Sequence, residues 1–221
     1  VNQTTVFAAG EGDAWFRRNA SQLAREPGHD EILSVVRSVG LKPKRVLEVG
    51  AANGYRLSQI KAEWGSECWG LDVSQEALQD GQKRFPAIQL LRGVAHQLPF
   101  PGSGRFDLVI VNFVFHWIDR MHLLQSVAEI DRVLLDGGFL AVGDFYPDSP
   151  TRRSYHHLPG QDVWTYKQDY PGLFLASHRY RLVSLVTGHH ANPAERLQAD
   201  SDNRIETAIL KKELTAGYST G

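Results

Sequence analysis

The apolar positions of this 221-residue chain follow two rhythms. Helical spacing marks AWFRRNASQLAREP (14–27), where Pro27-Gly28 reads as the stop. It also marks DEILSVVRSVG (30–40), opened by Asp30 and closed by Gly40. The runs RVLEV, CWGLDV, IQLL, FDLVIVN and GFLAVGDF read as five buried strands. The helix YRLSQIKAEW follows the first, and SQEALQDGQKRF, capped by Ser74, follows the second. A helix over roughly 119–135, stopped by Asp136-Gly137-Gly138, precedes the fifth strand. Such alternation predicts a parallel sheet covered on both faces. After residue 145 the pattern changes. Residues 147–172 contain four prolines and a dense set of Tyr, His, Trp and Arg. Two alternating runs, RYRLVSLVTG and RIETAILKKEL, are joined by ANPAERLQADSDN and predict an antiparallel pair at the sheet edge.

Composition narrows the partners. Hydrophobic residues at 42% and charged residues at 22% suit one soluble globular domain with a full core. A formal charge of −1 argues against nucleic acid as the main partner. No apolar run is long enough to span a bilayer, and VNQTTVFAAGEGDAW has no secretory pattern. The lone Cys68 cannot form an internal disulfide and lies in an apolar run, so it reads as buried structure. A cytoplasmic setting is expected.

The chemistry concentrates after the first strand, in EVGAANGY (48–55). Small residues there permit a tight turn and close approach by a ligand, and the following helix offers free N–H groups. The dinucleotide fingerprint needs a third glycine where Tyr55 stands, and the Gly-Lys-Ser/Thr of a P-loop is absent. Glu48, beside the first glycine, would repel a phosphate and attract a cation. Asp72 ends the second strand eighteen residues after Gly54. It can accept from a ribose diol, or simply begin the helix at Ser74.

In VLEVGAANG, WGLDVS, GVAHQLPF, FDLVIVNFVFHWI and LLDGGFLAVGDF, over about residues 40–145, the chain resembles class I S-adenosylmethionine-dependent methyltransferases of the small-molecule branch. The resemblance implies a Rossmann-like three-layer sandwich, with a seven-stranded, mostly parallel sheet whose last strand is antiparallel. It implies S-adenosyl-L-methionine as cofactor, with Gly50, Ala51, Ala52, Asn53 and Gly54 around its methionine half and Glu48 facing its cationic groups. Asp72 and Val73 would hold the ribose. Val94, Ala95 and His96 would edge the adenine, with Asn112 and Phe113 near the methionine amine. The sequence departs from the family at Ala52, where a glycine is usual, and at Val94, where many relatives carry aspartate.

The implied organisation is an N-terminal helical lid (1–40), a cofactor core (41–145), and an acceptor segment with the terminal hairpin (146–221). GDAWFRRN (12–19) weakly resembles the start of methylases of nonulosonic-acid biosynthesis. In that lid Trp15 would stack and Arg18 would meet the methionine carboxylate, or both belong to an ordinary amphipathic helix. His116 is read as a general base, a cofactor contact or a core-edge residue. The aromatic segment 151–170 reads as the acceptor wall, with Tyr155, Trp164 and Tyr166 enclosing the acceptor and His156 or His157 nearest the chemistry. A metal on His156-His157 is disfavoured for want of partners. The expected activity is methyl transfer to an oxygen or nitrogen of a small-molecule acceptor, by a monomer or homodimer. The alternative is a non-catalytic domain that keeps fold and cofactor.

Overall fold

The computed structural model describes residues 2–23, 30–191 and 200–215. Its centre is a seven-stranded sheet of β1 (Arg45–Val49), β2 (Glu67–Asp72), β3 (Gln89–Arg92), β4 (Phe106–Asn112), β5 (Leu134–Phe145), β8 (Tyr180–His189) and β9 (Arg204–Lys212). The spatial order is β3-β2-β1-β4-β5-β9-β8. The first five strands are parallel, while β9 runs antiparallel to both β5 and β8. The last strand in sequence is therefore inserted one place in from the edge, and β8 forms the edge.

Central strands read as unbroken apolar runs because both faces are buried. Leu47, Val49, Val109 and Val111 face one layer with α6 (Leu123–Val133) and α7 (Pro171–Leu175). Val46, Leu108 and Ile110 face the other with α3 (Glu31–Ser38), α4 (Tyr55–Trp64) and α5 (Gln75–Arg84). Caps set the helix starts. Asp30 accepts from Leu33 N at 3.0 Å, and Ser74 Oγ from Ala77 N at 3.0 Å. Cys68 is buried on β2, and burial pushes its thiol up to about 12.

Two boundaries differ from the sequence pattern. The helix expected over 119–135 spans only Leu123–Val133, because Asp119 accepts from Met121 N and Gln3 N and holds its own turn. Asp136-Gly137-Gly138 lies inside β5 as an irregularity: Phe106 pairs with Leu134, and Leu108 already with Phe139. Gly137 takes φ +75° there. The N-terminus forms α1 (Gln3–Val6), a π-type turn (Phe7–Glu11) and α2 (Gly12–Leu23). The expected stop at Pro27-Gly28 lies outside the described residues, as does most of the linker 191–203. A separate hairpin, β6 (Thr151–Ser154) with β7 (Trp164–Lys167), follows β5. Gln3 fastens this hairpin to the body, donating to Trp117 O and Trp164 O and accepting from Trp164 N.

Candidate functional site

At the carboxyl ends of β1, β2, β4 and β5 lies a cavity of about 650 Å³, within the range of small-ligand sites. The turn after β1 forms one wall. Gly50 N and Ala51 N donate to Leu71 O at 2.7 and 3.0 Å, which locks the turn onto β2. The conformation demands glycine at Gly50 (φ +77°) and Gly54 (φ +79°). What excludes bulk is the protein itself. A Cβ on Gly50 would meet Val114 Cγ2 at 2.1 Å, and one on Gly54 would meet Leu90 Cδ2 at 3.1 Å. Gly50, Ala51 and Ala52 line the cavity; Gly54 does not. Asn53 is also turned away, donating to Asp80 at 2.7 Å and accepting from Tyr55 N. Gly54 and Asn53 thus stand behind the cavity wall, in the turn's own packing. Ala52 holds φ +49° and Phe113 φ +54°, left-handed geometry carried by side-chain-bearing residues at the cavity wall.

Glu48 is fully buried and paired with Arg56, which also bonds Asp30 (2.9 Å) and the Tyr55 hydroxyl (3.0 Å). Burial pushes Glu48 up to about 7 against the opposing attraction of Arg56. Its second oxygen, Oε2, has no partner, although Glu48 lines the cavity. A buried orphan acceptor is costly until a donor reaches it. An ammonium group is the donor it suits.

Asp72 lies at the end of β2. Its Oδ2 accepts from Ala52 N at 2.7 Å and its Oδ1 from Ser74 N at 2.9 Å. Each oxygen keeps a second lone pair for a hydroxyl. Burial raises its pKa, and these backbone donors oppose the rise. Val73, Val94, Ala95 and His96 continue the wall, as do Asn112 and Phe113. The His96 ring stacks on His122 at 3.9 Å. Trp15 reaches the cavity edge-on to Trp117, 6.1 Å between centroids.

The other end differs. His116 is buried, and its Nδ1 sits 2.8 Å from Asp144 Oδ1. Asp144 also accepts from Phe145 N (2.8 Å) and His116 N (3.3 Å), so the acid at the end of β5 fixes the imidazole. Phe145 is surrounded by His116 at 5.2 Å, His190 at 4.9 Å and Phe113 at 5.7 Å between centroids. Lys167 Nζ lies 4.2 Å from the Phe145 centroid.

Three expected residues stand elsewhere. The Arg18 guanidinium is held by Glu11 and by the Tyr155 hydroxyl at 3.0 Å, off the cavity wall. Trp164 and Tyr166 alternate away from the cavity while Thr165 and Lys167 line it. Their outward rings carry Arg152 and Arg120 instead. His156 and His157 reach the cavity but are exposed in a turn, not an extended segment, with rings 3.8 Å apart. Sequence reasoning passed over Asp144, although it lies within a residue of its strand's end, as Glu48 and Asp72 do. It also passed over Arg56, Lys167 and His190, which only the fold brings together.

Residues 47–142 match the methyltransferase domain family. A malonyl-[acyl-carrier protein] O-methyltransferase of Methylococcus capsulatus is 32% identical over 127 residues, 56% of this chain and 45% of the relative. A demethylmenaquinone methyltransferase of Renibacterium salmoninarum is 36% identical over 112 residues, 50% and 46% of the respective chains. The chain spans about half the length of these curated relatives. Its fold superposes on a Burkholderia thailandensis 1,6-didemethyltoxoflavin-N1-methyltransferase, solved with 1,6-didemethyltoxoflavin and S-adenosylhomocysteine. The TM-score is 0.71 at 14% identity, covering 96% of this chain and 91% of that one. Among the described residues no helix is long and apolar enough to cross a membrane.

Proposed function

We propose that the chain transfers a methyl group from S-adenosyl-L-methionine to an ionisable oxygen or nitrogen of a small acceptor, with His116 as general base. The supporting observation is the buried His116–Asp144 pair facing the same cavity as Asp72 and Glu48. The cofactor's sulfonium supplies the electrophilic methyl group and leaves as S-adenosylhomocysteine. Asp72 holds the ribose diol, Glu48 Oε2 accepts from the amino group, and Ala95 and His96 border the adenine. Asp144 accepts the Nδ1 proton of neutral His116, so Nε2 is the nitrogen left to take the acceptor's proton. Phe113, Trp117 and Phe145 exclude water and leave the acceptor few poses. The acceptors named for the relatives are malonyl-[acyl-carrier protein], demethylmenaquinone and 1,6-didemethyltoxoflavin, so the family leaves the acceptor open.

The test is incubation of a metabolite extract with methyl-labelled cofactor. Wild type should label a discrete product. His116→Gln should lower that turnover about 100- to 10,000-fold. His156→Ala and His157→Ala should each retain most of it. Loss with the exposed pair and retention with His116→Gln would move the base to the turn at 156–157.

A further inference from the structure

The two ends of the cavity differ in charge. Among the described residues its only carboxylates are Glu48 and Asp72, both at the cofactor end. The acceptor end has Arg153, Lys167, His116 and His190 in its wall and no acid there; Asp144 lies behind His116. Arg153 is spent on Asp202 at the surface. Lys167 is not. Its ammonium rests on the Phe145 ring and donates to the Asp202 backbone carbonyl, and among the described residues no carboxylate pairs with it. Such an ammonium, half-buried against an aromatic ring, has donors to spare. Burial lowers the pKa of Lys167, with Arg153 adding to that effect and Asp202 opposing it. Burial likewise lowers His190; His116 and Lys167 lower it further, and Asp144 opposes them. An anion beside the Lys167 ammonium would offset the cost of its burial and the repulsion from Arg153.

Resting on the methyl-transfer reading above, we infer that the acceptor carries an oxyanion, a carboxylate or a phosphate, on a flat apolar skeleton. The anion is bound by Lys167 with His190 beside it. The skeleton lies against Phe113 and Phe145, which leaves its nucleophile toward His116. Lys167 and His190 are then specificity-determining residues rather than part of proton transfer.

The experiment is calorimetric titration of S-adenosylhomocysteine-saturated protein with benzoate, phenyl phosphate and the neutral benzamide. At least one anion should bind about 10- to 100-fold tighter than benzamide, the worth of one charge-assisted hydrogen bond. A benzoate preference marks a carboxylate acceptor and a phenyl phosphate preference a phosphorylated one. Lys167→Met should abolish the discrimination while S-adenosylhomocysteine affinity stays within about twofold, which also certifies that the variant is folded. His190→Asn should reduce it in part. Equal binding of anion and amide, absence of binding by every probe, or an unchanged preference in Lys167→Met overturns the inference alone. Failure of wild type to bind S-adenosylhomocysteine overturns the methyl-transfer reading, and this inference with it.

Discussion

The two ends of the cavity, proposed above to hold cofactor and acceptor, are built in opposite ways. At one end, regular strands deliver the chemistry: β1 carries Glu48 one residue before its end, β2 ends in Asp72, and the intervening turn is pinned by backbone hydrogen bonds to Leu71. At the acceptor end the rings and bases come from residues far apart in sequence, including Phe113, Phe145, Lys167 and His190. Only Asp144, again an acid within a residue of its strand's end, has the economy of the first end. On the proposed reading, the difference teaches that a shared cofactor can be held by local pattern, whereas an acceptor is recognised by tertiary assembly.

The largest effect expected from breaking this division lies at the turn. Gly50→Ala should destabilise the ligand-free protein by about 2–5 kcal/mol, combining left-handed strain with overpacking against Val114. Denaturant unfolding measures it, and Val114→Ala in the same chain should recover part of the loss. If Gly50→Ala is as stable as wild type and only cofactor binding fails, the ligand, not Val114, is what excludes the side chain.

Beneath the acceptor end, Glu206 is buried on β9 beside Asp144 with Oε1 unpartnered. Burial, with Asp169 and Asp144 adding to it, pushes its carboxyl up to about 9. An unfolded glutamate titrates near 4.3. Between these values the folded chain retains a proton that the unfolded chain releases. Stability therefore falls as pH rises across the window. Glu206→Gln mimics the protonated form, so it should stabilise the protein at pH 8 by several kcal/mol and leave it nearly unchanged at pH 4. Thermal unfolding at both pH values checks this. An equal effect at the two would show that the carboxyl does not titrate there.

The smallest effect is at Ala52, left-handed with φ +49° where glycine is at ease. Ala52→Gly should stabilise the chain by about 1 kcal/mol, read as a Tm rise of about 2–4 °C. A fall would mean that the methyl packs usefully against the cavity wall.

Legibility in the sequence follows the same division. The five parallel strands, the terminal antiparallel pair, and Glu48 and Asp72 were readable because acid and glycine punctuate apolar runs at short range. The crowding of Gly50 by Val114 was not legible, because Val114 is distant in sequence. Arg18 carried the right charge for a carboxylate, but Glu11 and Tyr155 reach it first. His156 and His157 drew attention by composition, whereas the buried pair of His116 and Asp144 is set by the closing of β4 onto β5. Lys167 could not be separated from its neighbours Trp164 and Tyr166 without the register of β7 against β6.

The claim that one end of the cavity holds cofactor and the other performs proton transfer is tested most directly by calorimetric titration with S-adenosylhomocysteine. Wild type, Asp72→Ala and His116→Gln are compared side by side. Asp72→Ala should weaken binding about 100-fold or more, since two charge-assisted hydrogen bonds to the ribose are lost. His116→Gln should bind within a few-fold of wild type. Normal affinity in Asp72→Ala, or a comparable loss in His116→Gln, would contradict the division of the cavity.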